Sequence, residues 1–127
     1  MNFILDQVPQ RTAKPREHGL TMIMDKGLGV RQTEDFIESA SEFIDIVKLG
    51  FGSSMITPNL EKKIDVYRAA GIPVYLGGTL LEAFIIRNKF DDYLRLIEKL
   101  RLKHAEVSDG SISLPHSKKY VHQQFHE

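Results

Sequence analysis

Short apolar runs alternate along the chain with segments of helical period. Four runs stand out: 20–25 (Leu-Thr-Met-Ile-Met-Asp), 44–50 (Ile-Asp-Ile-Val-Lys-Leu-Gly), 72–78 (Ile-Pro-Val-Tyr-Leu-Gly-Gly) and 104–110 (His-Ala-Glu-Val-Ser-Asp-Gly). Their ends at Asp25, Gly50, Gly77 and Asp109 lie 25, 27 and 32 residues apart, the length of one βα unit. Between them the period changes to 3.6. Phe90, Tyr93, Leu94, Ile97 and Leu100 fall on one helical stripe, and Phe36, Ile37, Ala40 and Phe43 form the buried side of an earlier helix. Thr57-Pro58 offers a helix start and Gly71 a helix stop. Thr79-Leu80-Leu81-Glu82 has the spacing of a capping box, so a helix is expected directly after the third strand. Strand and helix in alternation predict a parallel sheet, either open or closed into a barrel. Residues 1–19 show neither period and are expected to form an irregular, mobile arm. The α/β domain is expected over residues 20–127.

Parallel strands covered by helices are normally apolar throughout, so charged residues within them call for an explanation. Val47 and Leu49 are natural helix-facing residues, which turns Lys48 to the opposite, inner face. The same alternation puts Glu106 and Ser108 inward in the fourth strand, and Tyr75 and Gly77 inward in the third. In the first strand, placing Met22 and Met24 toward the helices leaves Asp25 on the inner face. Lys48, Asp25 and Glu106 would then meet at the C-terminal ends of the strands, where both open and closed α/β folds build their sites. An internal ion-pair network that fixes the sheet register is the plain alternative. Glycines at Gly50-Phe51-Gly52, Gly77-Gly78 and Gly110 mark the same rim and could expose backbone N–H groups to an anion. No third glycine follows Gly50-Phe51-Gly52 at the dinucleotide-binding spacing.

Composition narrows the chemistry. With 17 Lys+Arg against 17 Asp+Glu the formal charge is zero, which argues against nucleic acid as a partner. The chain has no cysteine, which excludes disulfides, zinc ribbons and thiol catalysis. The longest apolar runs, such as Ala83–Ile86, are far shorter than the roughly 20 residues that cross a bilayer, and the N-terminus lacks a signal-peptide pattern. A cytoplasmic protein without a membrane partner is expected. His122 and His126 share a possible helical face, but no third metal ligand accompanies them.

Four motifs occur in order: Met24-Asp25-Lys26-Gly27, then residues 45–54 (Asp-Ile-Val-Lys-Leu-Gly-Phe-Gly-Ser-Ser), residues 75–82 (Tyr-Leu-Gly-Gly-Thr-Leu-Leu-Glu) and residues 106–110 (Glu-Val-Ser-Asp-Gly). Together they resemble the phosphosulfolactate synthase family over roughly residues 11–115. The resemblance implies a (β/α)8 TIM barrel that adds sulfite to phosphoenolpyruvate with Mg2+, giving (2R)-phospho-3-sulfolactate. It also implies a link to coenzyme M biosynthesis in archaeal members and to sulfolactate in spore-forming bacteria. A full barrel takes about 250 residues, so these 127 would form a half-barrel of four βα units, inactive alone or paired as a homo-oligomer. The resemblance supplies the reaction, and strand alternation and position supply the residues: the catalytic candidates are Lys48, Glu106 and Asp25, with Asp25 and Glu106 holding the metal directly or through water. Lys26, Gly50, Gly77, Gly78, Ser108 and Asp109 would line the substrates. The competing expectation is a non-catalytic half-barrel with an association or stress-related role.

Overall fold

The structure is a computed structural model and describes residues 2–112. Tyr120, Val121 and Phe125 are the apolar positions expected in a last helix; they, with His116, His122, His126 and Lys118-Lys119, lie outside the described residues. The order of elements is β1 (Met22–Asp25), α1 (Val30–Ala40), β2 (Ile46–Leu49), α2 (Leu60–Ala69), β3 (Val74–Leu76), α3 (Gly78–Ile85), α4 (Phe90–Lys99) and β4 (His104–Ala105). The four strands form one parallel sheet in the order β1-β2-β3-β4. This is half of a (β/α)8 barrel, with its helices on one face of the sheet. No helix among the described residues is long and apolar enough to cross a membrane.

Helix boundaries follow local chemistry. The apolar stripe of α4 packs on the core through Phe90 and Tyr93, and the Phe84 and Tyr93 rings meet 5.6 Å apart. Burying side chains of this size contributes about 1.5–3 kcal/mol each. Gly71 ends α2 by adopting φ +71°, which a side chain would strain. The start of α2 falls two residues beyond Pro58, at Leu60, after Asn59 turns through the left-handed region. Phe43 is exposed beyond the end of α1 instead of joining its buried side.

The register settles which side chains share a face. Met24 pairs with Lys48, Lys48 with Tyr75 and Tyr75 with His104; Asp25 pairs with Leu49, and Leu49 with Leu76. Paired residues in neighbouring strands point the same way. Val47, Leu49, Val74 and Leu76 are buried against the helices, as expected, and Lys48 faces away from them. The first strand reverses the expected alternation. Met22 and Met24, 47% and 37% exposed, lie on the helix-free face, while Asp25 is buried with Leu49 on the helix side.

Asp25 is tolerated there because α2 brings it a complete set of partners. Lys63 Nζ lies 2.8 and 2.7 Å from its two oxygens, and the Tyr67 hydroxyl donates at 2.8 Å. The Gly27 and Leu28 amides donate at 2.8 and 2.9 Å, which also folds the β1–α1 loop. Both charged side chains have zero exposure. Burial raises the Asp25 pKa, but the hydrogen bonds from Lys63, Gly27, Leu28 and Tyr67 outweigh it and hold the carboxyl below its usual range. Burial first, and the adjacent Asp25 second, push the Tyr67 phenol upward.

Among the described residues the arm contains no helix or strand, yet it does not hang free. Arg16 forms a 2.7 Å ion pair with Asp45 and donates to the Glu42 carbonyl at 3.0 Å, with its side chain only 3% exposed. Lys14 donates to the Ser41 carbonyl at 2.7 Å, and Arg11 reaches Thr21 and Asp45. Asp45 also accepts from the Thr21 amide at 2.7 Å, so one carboxylate ties the arm to the start of β1.

Removing either member of the buried pair leaves the other charge unmatched. Lys63→Met and Asp25→Leu are each expected to destabilise the fold by about 3–5 kcal/mol in chemical denaturation, and the double replacement by much less than the sum. Acid should reveal the same pair. Because the folded pKa of Asp25 is depressed, its contribution is fully present above the ordinary carboxylate pKa and is lost as pH falls through the folded value. Lys63→Met should flatten that acid limb in a denaturation series from pH 6 to 2.

Candidate active site

The helix-free face of the sheet carries an ion pair at its C-terminal rim. Lys48 reaches it from the third position of β2, between the buried Val47 and Leu49. Its Nζ lies 2.8 and 2.6 Å from the two oxygens of Glu106, just past the end of β4. The side chains are 17% and 31% exposed, so a ligand can reach the pair. Glu106 also accepts the Gly78 amide at 2.8 Å. That amide opens α3, where the helix leaves its first N–H groups unpaired and favours a negative charge.

Two glycines make this convergence possible. A Cβ at Gly77 would stand 3.0 Å from Lys48 Cε and 3.1 Å from the Leu49 carbonyl oxygen. One at Gly78 would overlap the Ser108 hydroxyl. Both lack side chains because Lys48 and the segment after β4 occupy the space. Gly50 is similarly closed in by Met24, whose Cγ and Sδ would lie 2.6 and 2.7 Å from an added Cβ.

The pair is electrostatically set. Burial raises the Glu106 pKa, but the Lys48 and Gly78 hydrogen bonds and the Lys48 charge bring it below the usual value, against a small opposing effect of Glu82. Tyr75, on the same face, is pushed up by burial and then by the Glu106 charge, with Lys48 opposing. Tyr93 lies fully buried with a hydroxyl that finds no hydrogen-bond partner among the described residues. Burial and Glu106 raise its pKa to about 12.

The expected trio is therefore a pair. Lys48 and Glu106 meet, whereas Asp25 belongs to the opposite face of the sheet, where both its oxygens are occupied by Lys63, Tyr67 and two amides. Lys26, in the β1–α1 loop, places its ammonium 5.5 Å from the centre of the Phe51 ring. Ser108 packs over Gly78, and Asp109 is exposed beside it. The Asp25–Glu106 magnesium pair does not fit this geometry. No three His, Cys, Asp or Glu side chains among the described residues come together to hold a metal.

Glu82 is the rim residue that the sequence pattern misassigned. The helix starts at Gly78 with Gly77 as its cap, two residues before the position a Thr79-based capping box requires. Freed from capping, the Glu82 carboxylate turns to the segment after β4 and accepts from Ser108, Gly110 and Ser111. Its burial at 3% exposure could not be read from a motif in which it sits at the usual acidic position.

Comparison with known proteins shows the family. The family model for (2R)-phospho-3-sulfolactate synthase matches residues 9–124. The phosphosulfolactate synthase of Methanocaldococcus jannaschii is 40% identical over 109 residues, covering 83% of this chain and 43% of the relative. That of Bacillus subtilis is 34% identical over 119 residues, covering 94% and 47%, and that of Methanothermobacter thermautotrophicus 32% over 116 residues, covering 90% and 45%. The chain spans about half the length of the curated relatives it matches. With the match running through all four rim motifs, the chain belongs to the (2R)-phospho-3-sulfolactate synthase family.

Proposed function

We propose that this chain supplies the Lys48–Glu106 part of a site that adds sulfite to phosphoenolpyruvate. The observation that carries the reading is the ion pair itself, held at the strand C-termini by the Gly77-Gly78 approach. In this reaction the sulfite sulfur attacks the methylene carbon of phosphoenolpyruvate and forms the C–S bond. The π electrons move toward the neighbouring carbon and its carboxylate, and a proton then adds to that carbon to give phosphosulfolactate. Nothing leaves the substrate, so the site has only to gather anions, hold the growing carboxylate charge and deliver one proton. Lys48 suits the second of these roles, because its cationic Nζ stands at the open mouth and its hydrogen bonds to Glu106 fix its direction. Lys26, Ser108 and Asp109, in the segments that follow β1 and β4, are proposed to line the substrates, with Lys26 and Ser108 offering donors to their anions. A magnesium requirement is tied to ligands other than an Asp25–Glu106 pair. A phosphorylated substrate, which does not cross bilayers unaided, supports a cytoplasmic reaction.

A second reading has its own support. The helix-free face exposes Met22 and Met24, and β1 and β4 stand at the edges of the described sheet. Unpaired edges and an uncovered apolar face favour pairing with another chain. A homo-oligomer, or a half-barrel whose role is association, would use these surfaces.

Synthesis from phosphoenolpyruvate and sulfite, followed as phosphosulfolactate by ion chromatography, tests the first reading. Activity is expected once the open face is completed by the C-terminal half of a relative, and Lys48→Met should then lower kcat/KM by about 100-fold or more while the protein stays folded. Methionine keeps the apolar stem and removes only the charge. Ordinary turnover by folded Lys48→Met would remove Lys48 from the mechanism.

Light scattering across a dilution series tests the association. The 127-residue chain is expected to run as a dimer or larger species that dissociates on dilution. A stable monomer throughout would contradict it.

A further inference from the structure

Glu82 is a buried carboxylate without a cation beside it among the described residues. A buried charge of this kind persists only when it is saturated with hydrogen bonds. All of its donors come from one place. Its Oε1 accepts from the Ser108 hydroxyl and from the Gly110 amide at 3.2 Å, and its Oε2 accepts from the Ser111 amide at 2.7 Å. Burial raises its pKa, but these bonds outweigh burial and keep it below the usual value, so the clamp is charged at neutral pH.

The segment it grips begins at Glu106. At that end the Gly78 amide donates to Glu106, and Ser108 rests where a side chain at Gly78 would be. Helix α3 thus holds residues 106–111 at two levels: its first amide at Glu106, and one turn later Glu82 at Ser108, Gly110 and Ser111. Strand β4 is only two residues long, so the sheet alone gives this segment little support.

We propose that Glu82 is a positioning residue: by anchoring residues 108–111 to α3 it holds Glu106 against Lys48 and sets Ser108 and Asp109 at the mouth of the site. Its carboxylate faces the segment and not the ligand, so it acts through Glu106. The significance of this role for catalysis rests on the proposed function of the Lys48–Glu106 pair; the anchoring itself does not.

Amide hydrogen exchange of the 127-residue chain, read by NMR without substrate, separates anchoring from general stabilisation. In Glu82→Gln the Gly110 and Ser111 amides lose a charged acceptor and should exchange roughly 10- to 100-fold faster. The Gly78 amide, which Glu82 does not touch, should also speed up, because Glu106 is its acceptor and is no longer held in place. Amides in the body of the fold, such as those of Ile85 and Tyr67, should keep their rates. A uniform acceleration across these amides, or an unchanged Gly78, would overturn the proposal. Should Glu82→Gln not fold, Ser108→Ala retains the carboxylate and removes one donor. Several-fold faster exchange at Gly110 and Ser111 is then expected, and unchanged rates there would overturn it. Failure of the synthase assay would leave all of these rates untouched, so the two proposals fail separately.

Discussion

The buried ion pair between Asp25 and Lys63 is the constraint on which the rest of the structure depends. Two charges with no exposure can coexist between a sheet and a helix only if every polar atom is matched, and here two side chains of α2 and two amides of the β1–α1 loop do the matching. Slipping the first strand by one residue would put a methionine against Lys63 and Tyr67 and leave an ammonium unmatched in the core. The pair therefore specifies register. Through the pairing of β1 with β2 it also decides that Lys48 emerges on the helix-free face.

The rim is organised by carboxylates that accept backbone amides. Asp25 takes two amides of the β1–α1 loop, Glu106 the first amide of α3, and Glu82 two amides of the segment after β4. Each closes a connection at the C-terminal end of a strand, where the ladder stops and N–H groups lose their partners. The same chemical group thus serves structure at Asp25 and Glu82 and remains accessible at Glu106. What separates them is the company: Lys63 is sealed beneath the sheet, whereas Lys48 stands at an open mouth. The accessible pair is the one we propose for chemistry.

Sequence alone carried the architecture because alternation and period are local properties. The four strands, the amphipathic α4 and the inward placement of Lys48 and Glu106 all follow from neighbours within a few residues. Asp25 was misplaced for a physical reason: Met22 and Met24 are apolar yet exposed, so hydrophobicity pointed the strand the wrong way. The compensating signal, Lys63 and Tyr67 one helical turn apart on α2, lies about forty residues downstream and names no partner by itself. Glu82 was hidden by a motif that it satisfies in spacing but not in geometry. In the arm, nothing in the neighbouring sequence marks Arg16 as a partner, and only the fold shows Asp45 beneath it.

The central claim is that β1 and β2 are oriented so that Lys63 is sealed and Lys48 is open. Acetylation of the folded chain with an amine-reactive reagent, followed residue by residue by mass spectrometry, tests it most directly. Lys48 should be modified in the native protein, slowed by its pairing with Glu106 but not prevented. Lys63 should react only as fast as the chain unfolds, its modification rate rising in step with denaturant. Native-state modification of Lys63 at a rate equal to that of Lys48 would contradict the account.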